Sequence, residues 1–208
     1  MVRVGLTAER LAAAGAELAD DVGFEGLTVS ALARRFGVKD ASLYSHIKNL
    51  RELRQRVTLY AASEFIDSIA AAVAGRAGKD ALVAFADAYR AYALAHPGRY
   101  AATQHQVDPE LLAGSTVMAR TADTTYGMLR AYGLTEPDLT DAVRLLRSTF
   151  HGYISLEAEG GFGHPREVQR SWERGVQALH ILLEHWPRDQ DQEKAQEKDQ
   201  EKEGGEER

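Results

Sequence analysis

The chain has 208 residues, a hydrophobic content of 44% and a formal net charge of −6 at pH 7, and it contains no cysteine. The lack of thiols excludes a disulfide framework, a thiolate metal site and a cysteine nucleophile, and makes a reducing cytoplasm the simplest location. No run approaches the ~20 apolar residues of a transmembrane helix, and residues 1–6 lack the regions of a signal peptide, so we expect neither feature.

The residue pattern predicts an all-α fold. Long stretches rich in Ala, Leu, Glu and Arg contain few prolines and no alternating β-branched runs. Thr7 is a natural N-cap for a first helix that ends at Gly23 and Gly26. Its apolar face is formed by Leu11, Ala14, Leu18 and Val22.

Two short helices joined by a tight turn at Gly37 are predicted within residues 28–53. Thr28 caps the first of them. The second is only a little over one turn long, so neighbouring elements must hold it, which leaves one side free for another contact. The apolar positions of the two helices are Ala31, Leu32, Phe36, Ala41, Leu43, Tyr44 and Ile47.

The positive charge of the chain is concentrated in this segment. Residues 28–56 contain seven basic and two acidic residues, a net charge of +5, whereas residues 188–208 carry −4. An acidic protein with one basic patch suits selective contact with phosphates. The alternative is an ordinary solvated helix face, and the turn geometry favours the first interpretation.

The remainder of the chain is predicted to be helical as well. Asn49 and Glu52 form a capping box for a long helix that reaches about Gly75 and connects the basic segment to the second half. A short helix is expected after Pro97. The other predicted helices run from Asp80 to His96, from Asp108 and Pro109 to Tyr132 with Gly133 as the stop, from about Pro137 to Gly160, and from about Arg166 to His185.

Residues 20–53 resemble the DNA-binding domain of TetR-type transcriptional regulators, in which a G-V-x-x-x-x-L-Y-x-H segment forms the turn and the recognition helix. The matching residues here are Gly37, Val38, Leu43, Tyr44 and His46. The segment 150–162 is similar to a subgroup whose ligand domain carries His-Gly followed by Leu-Glu. The resemblance implies a three-helix DNA-binding domain at 1–48 and a helical ligand-binding and dimerisation domain at 49–187. The charged segment 188–208 is predicted to be a disordered tail.

The resemblance also implies a set of DNA contacts. It places Thr28 and Ser30 on a phosphate, and the side chains that face base edges are Lys39, Ser42 and Leu43. The side chains that reach the DNA backbone are Tyr44, His46 and Lys48. Two residues depart from the pattern: Asp40 is expected to cap the helix or to accept from a cytosine amino group, and Leu50 replaces a basic residue.

The second half contains an aromatic and polar mixture suited to lining a small-molecule site. The candidates are Tyr89, Tyr92, Tyr100, His105, Met118, Tyr126, Met128, Phe150, His151 and Trp172. Most of these side chains have an equally ordinary interpretation as core. His151, which lies among apolar residues, needs a polar partner if it is buried, and that partner is a ligand or a neighbouring protein group.

The last two long helices predict a homodimer. Phe150, Tyr153, Leu156 and the stripe from Trp172 to Trp186 exceed what one surface helix requires, so a four-helix arrangement of two protomers would bury them. The alternative is that both helices close the core of a single protomer. A two-fold dimer would present two recognition helices about 34 Å apart to a nearly palindromic operator.

The sequence thus predicts a ligand-responsive, dimeric, DNA-binding repressor with no cofactor and no metal. A helical enzyme or small-molecule carrier with an incidental basic end is the alternative. The sequence contains no Gly-rich phosphate loop, no histidine pair at i and i+4 and no G-x-S-x-G motif. His105, Asp108, His151 and Glu157 do not have a spacing that requires a metal or acid–base site.

Overall fold

The computed structural model describes residues 5–187, and every regular element in that range is helical, as predicted. The tail at 188–208 lies outside the described residues. The helices are α1 Ala8–Val22, α2 Val29–Phe36, α3 Leu50–Val73, α4 Gly78–Ala95, α5 Pro97–Thr103, α6 Pro109–Ala113, α7 Val117–Leu129, α8 Asp138–Ala158 and α9 Val168–Glu184, with 3₁₀ turns at Asp40–Ser42 and Arg130–Tyr132.

The first core is formed by α1, α2 and the N-terminal half of α3. The side chains that fill it are apolar at helical spacing, and the fully buried ones include Leu11, Leu27, Leu32, Leu53 and Val57. The predicted caps are confirmed, because Thr7 Oγ1 accepts from the Arg10 amide at 3.2 Å and Thr28 Oγ1 accepts from the Ala31 amide at 3.1 Å.

The second core is formed by the C-terminal half of α3 together with α4, α5, α7, α8 and α9. Its buried side chains include Ile69, Leu82, Leu129, Leu146 and Phe150. Helix α3 contributes Leu53, Val57 and Ala61 to the first core and Ile66 and Ile69 to the second. The predicted domain boundary at residue 48 stays a prediction, since one continuous helix belongs to both cores.

The prediction of a single helix from Asp108 to Tyr132 is wrong. The chain forms α6, breaks at residues 114–116 and resumes as α7, because Gly114 favours the break and the Ser115 hydroxyl accepts from the Val117 amide at 3.2 Å. Asp108 makes no side-chain cap bond. Its Oδ1 instead accepts from Arg51 Nη2 at 2.7 Å.

Smaller differences concern helix ends and exposed apolar residues. Helix α4 begins two residues before Asp80, and α9 begins two residues after Arg166. Val22 was predicted on the apolar face of the first helix, yet it is 48% exposed, because it is the last residue of α1. Within residues 5–187, no helix has the length and apolar character that membrane crossing requires.

Candidate nucleic-acid interface

Helix α2 is fixed at both ends by local hydrogen bonds. Thr28 caps its start, and Gly37 ends it in the left-handed conformation with φ 65° and ψ 32°. The Gly37 amide donates to Arg34 O at 3.1 Å, and the Val38 amide donates to Ala33 O at 3.1 Å. These two bonds form a Schellman motif, which explains why the sequence signal at Gly37 predicts the turn correctly.

The segment after the turn is less regular than the short helix that was predicted. Lys39 has an extended backbone, residues 40–42 form one 3₁₀ turn, and turns follow as far as His46. The amides of His46 and Ile47 both donate to Leu43 O, at 2.9 and 3.1 Å. The segment 39–48, which we call the recognition segment, is therefore held by tertiary packing more than by its own helical bonds.

Leu43 and Ile47 anchor the recognition segment in the first core. Leu43 is fully buried and Ile47 is 2% exposed. The expectation that Leu43 faces base edges is therefore wrong. Spaced four residues apart, Leu43 and Ile47 lie on the apolar side that docks the segment, and a side chain that is buried in this way cannot reach a DNA groove.

The other predicted contact residues lie at the surface of α2 and of the recognition segment. Tyr44 is 53% exposed, so it does not pack in the core, although the sequence pattern places it among the apolar positions of this segment. His46 is half-buried. The structure leaves the remaining candidates exposed on α2 and the recognition segment: Thr28, Ser30, Lys39, Ser42 and Lys48.

Asp40 is tied to Ser30 rather than to the end of its own 3₁₀ turn. The Ser30 hydroxyl donates to Asp40 Oδ2, whereas the cap position of the turn is Lys39, which makes no side-chain cap bond. The contact links the start of α2 to the start of the recognition segment. It also occupies the Ser30 hydroxyl, which was expected on a phosphate. The cytosine contact of Asp40 stays a prediction.

Most of the positive charge of this region is already paired. Arg35 binds Glu17 and Asp21 of α1. Three further guanidinium groups are paired in the same way: Arg51 with Asp108 at 2.7 Å, Arg54 with Glu25 at 3.0 Å, and Arg56 with Glu52 at 2.8 Å. Among the described residues, no carboxylate lies within ion-pair distance of Arg34, Lys39 or Lys48. These three cations of the segment 28–56 remain available to contact DNA.

The junction between Lys48 and α3 is an extended version of the predicted capping box. Asn49 Oδ1 accepts from the Glu52 amide at 2.9 Å, and Glu52 Oε2 accepts from the Lys48 amide at 2.6 Å. The bond from the Lys48 amide, with further help from Arg56, lowers the pKa of Glu52. The anionic carboxylate thus fixes the backbone on which Lys48 is carried.

Helix α5 ties the first core to the rest of the molecule. The carboxylate of Asp20 on α1 accepts from the Arg99 amide at 2.8 Å and lies 3.2 Å from His96 Nδ1. Gly98 allows this approach, because a Cβ placed there would lie 1.9 Å from Ala19 O. Sequence reasoning missed this contact, since its partners are 79 residues apart.

The structure brings together only some of the ligand candidates. Tyr89 Oη lies 3.1 Å from Tyr100 Oη, which lies 2.7 Å from His151 Nδ1. We call these three residues, with Phe150 and Trp172 packed beside them, the aromatic cluster. The polar partner that His151 requires is thus Tyr100. Burial raises the pKa of both Tyr89 and Tyr100, so each keeps its proton at neutral pH.

The other ligand candidates lie elsewhere. Tyr92 is buried and donates to Ala61 O at 3.3 Å. The His105 ring lies against the Phe24 ring with a centroid distance of 4.7 Å, on the side of the first core. Met118 is 61% and Tyr126 41% exposed, because α7 turns them outward. Within residues 5–187, no group of three or more His, Asp or Glu side chains is placed to hold a metal ion.

The apolar residues that suggested a dimer divide into two groups. The first group is at most 3% exposed within one protomer and therefore closes the core of that protomer; it consists of Phe150, Trp172, Val176 and Leu183. Three large apolar side chains remain on the outside of α8 and α9: Leu156 at 49%, Ile181 at 50% and Leu182 at 40% exposure.

Comparison with known proteins agrees with this architecture. The family model for bacterial regulatory proteins of the tetR family matches residues 11–57, and the model for the tetracyclin repressor-like C-terminal domain matches residues 82–179. The HTH-type transcriptional regulator YobS of Bacillus subtilis is 30% identical over 172 residues, which cover 81% of this chain and 88% of that protein. The chain belongs to the TetR family.

A second family member extends the comparison. The HTH-type transcriptional regulator Rv0681 of Mycobacterium tuberculosis is 36% identical over 145 residues. The match spans 68% of this chain and 65% of the length of that relative. Membership of the family makes the chain a helix-turn-helix transcriptional regulator, and the basic segment is therefore not incidental.

Solved structures show the same fold. BioQ of Mycobacterium smegmatis has a TM-score of 0.65 and 22% identity, covering 88% of this chain and 99% of that one. A structure of BioQ with its natural double-stranded DNA operator has a TM-score of 0.61 and 24% identity, covering 86% and 98%. At identities of 22% and 24%, the likeness of these structures to this chain shows a shared fold and nothing further.

Proposed function

We propose that this protein is a cytoplasmic repressor that binds a nearly palindromic DNA operator as a homodimer and is released by a small-molecule effector. One observation carries the proposal: the recognition segment is anchored by Leu43 and Ile47 and presents its polar side chains outward. A rigidly supported, exposed polar surface is what a DNA groove requires. Its function is binding, so the proposal includes no catalytic step.

The proposed DNA contacts follow from exposure and free charge. Lys39 and Ser42 face base edges, while Thr28, Tyr44, His46 and Lys48 contact the sugar–phosphate backbone. Ser30 has a supporting role, because its hydroxyl is donated to Asp40. Phosphate contacts set the position of the protein on the duplex, and base contacts select the sequence. The BioQ structure with its operator supports this use of the fold.

The proposed dimer uses the outer faces of α8 and α9. Leu156, Ile181 and Leu182 remain exposed after the protomer has closed its own core. Sedimentation of an Ile181→Asp variant tests the proposal, with Val22→Asp as the matched control because Val22 is similarly exposed, at 48%, on α1. Ile181→Asp should produce monomers and Val22→Asp should not. Equal effects of the two substitutions would exclude this face.

The proposed effector site is the aromatic cluster, where Tyr100 and His151 are the groups able to exchange a protein hydrogen bond for one to a ligand. Effector binding must favour the conformation that does not bind DNA, since a ligand shifts an equilibrium only by its difference in affinity. Helix α3 is the structural link, because it enters both cores.

Selection of genomic DNA fragments tests the proposal as a whole. The wild-type protein should enrich fragments with a nearly palindromic motif, and Tyr44→Ala should bind them more weakly while remaining folded. If no palindromic site is enriched at either low or physiological salt, the regulator does not act through this surface as proposed.

A further inference from the structure

A cleft of about 590 Å³ lies where the first core meets the rest of the molecule. Phe24 and Glu25 line it from the loop before α2, α3 forms one wall, and residues 105–109 line it from the loop between α5 and α6. The aromatic cluster contributes none of its lining. The volume of the cleft falls within the range of roughly 300–1,000 Å³ that is typical of small-molecule sites.

The α3 wall of the cleft is polar. It is lined by Arg51, Arg54, Gln55 and Thr58. The last three follow Arg51 by three, four and seven residues, which places all four on one face of the helix. Gln55 and Thr58 are two of the three buried polar residues within the described range 5–187. Arg54 Nε is buried without a hydrogen-bond partner. Gln55 binds the Asp108 carboxylate, so this wall already carries a group that holds a carboxylate in the cleft.

The opposite wall combines aromatic and apolar side chains with the polar side chains of Glu25, Gln106 and Asp108. The rings of Phe24 and His105 lie 4.7 Å apart at a tilt of 47°, and Val107 and Pro109 continue the surface. Phe24 itself is only 4% exposed, so the floor of the cleft is fixed. A ligand that fits both walls has an apolar, flat or linear body and one hydrogen-bond-accepting group.

A carboxylate suits that group, because Arg51 and Gln55 on the α3 wall already bind one, the side chain of Asp108. Arg51 and Asp108 form an ion pair in which the Arg51 side chain is 75% exposed. Hydrogen bonds from Gln55 and Arg51 lower the pKa of Asp108, so its carboxylate is anionic. An exposed pair of this kind contributes little stability, and an incoming carboxylate can therefore replace Asp108 on Arg51. Arg54 stays in the wall, because it is also bound to Glu25 O at 2.6 Å.

We propose that this cleft is a binding site for a small amphipathic carboxylate, with its apolar body against His105, Val107 and Pro109 and its carboxylate on Arg51. Such a ligand would connect the loop before α2, the first turns of α3 and the loop 105–109. It would thereby fix one position of the helix-turn-helix relative to the second half. This coupling to operator binding rests on the proposed function, whereas ligand binding itself does not.

Amide NMR spectra of the full-length protein without DNA test the site. Titration with 2-naphthoate and with octanoate, at up to millimolar concentration, should shift signals of residues 24–25, 51–58 and 105–109. The neutral analogue 2-naphthamide should bind about tenfold more weakly, because it lacks the charge-assisted bond to Arg51. Arg51→Gln and Thr58→Val should each weaken binding of 2-naphthoate.

Arg34→Gln is the matched control, since it removes an equal charge from an exposed position on α2 outside the cleft. It should leave the titration unchanged. The proposal is overturned if neither carboxylate shifts signals around the cleft, or if Arg51→Gln and Thr58→Val bind 2-naphthoate as tightly as the wild type does. Because no DNA is present, failure of the operator selection would not alter either result.

Discussion

Replacing Lys48 by Gln tests whether the unpaired cations contact phosphates. In the segment 28–56, three cations per protomer, Arg34, Lys39 and Lys48, have no carboxylate within ion-pair distance among residues 5–187, so a dimer offers six. Lys39 is proposed to face base edges, which leaves four phosphate contacts from Arg34 and Lys48, so the logarithm of the operator association constant should fall with the logarithm of salt concentration with a slope of about −4. Lys48→Gln removes two contacts and should make the slope shallower by about 2.

Arg35→Gln is the control for this measurement. It removes the same charge from α2, but its guanidinium is already bound to Glu17 and Asp21, so the slope should stay unchanged. Fluorescence anisotropy on the selected operator, over a series of KCl concentrations, provides both slopes. If Arg35→Gln flattens the dependence as much as Lys48→Gln does, the distinction between paired and free cations is wrong.

Three further predictions test the packing that supports the interface. Leu43→Ala should destabilise the fold by about 2–5 kcal/mol in urea unfolding. Tyr44→Ala should change stability by less than about 0.5 kcal/mol and should mainly weaken operator binding. If Leu43→Ala has normal stability but no longer binds the operator, Leu43 contacts a base after all. The pKa of Glu52 is lowered, so Glu52→Gln should be less stable than wild type at neutral pH, and the difference should disappear as pH falls through the folded pKa. A constant difference down to acid pH would contradict this. Gly98→Ala should lower the melting temperature, because its Cβ would meet the α1 backbone, whereas Gly127→Ala has open space and should not; equal melting temperatures would refute the close approach.

The features that could be predicted from the sequence are those set by neighbouring residues. Thr28 and Gly37 fix the ends of α2 through bonds that span at most five residues, so their residue types were sufficient. The same holds for Asn49 and Glu52 at the start of α3. The break at Gly114 carried a similar local signal, but the long apolar pattern on both sides of it concealed the interruption.

The features that could not be predicted depend on distant partners. Arg51 looks like a DNA-contacting cation until Asp108, 57 residues away, is seen to pair with it. The burial of Leu43 follows from packing against the first core, and a family motif alone does not show which side of a short element faces inward. The sequence has polar residues at positions 51, 54, 55 and 58, but only the fold shows that they line a cleft.

Hydroxyl-radical footprinting on the selected operator tests the central claim that two helix-turn-helix units act together. The account predicts two protected half-sites on one face of the duplex, with centres about 34 Å apart, at physiological salt. A single protected half-site, or weak protection spread evenly along the fragment, would contradict it.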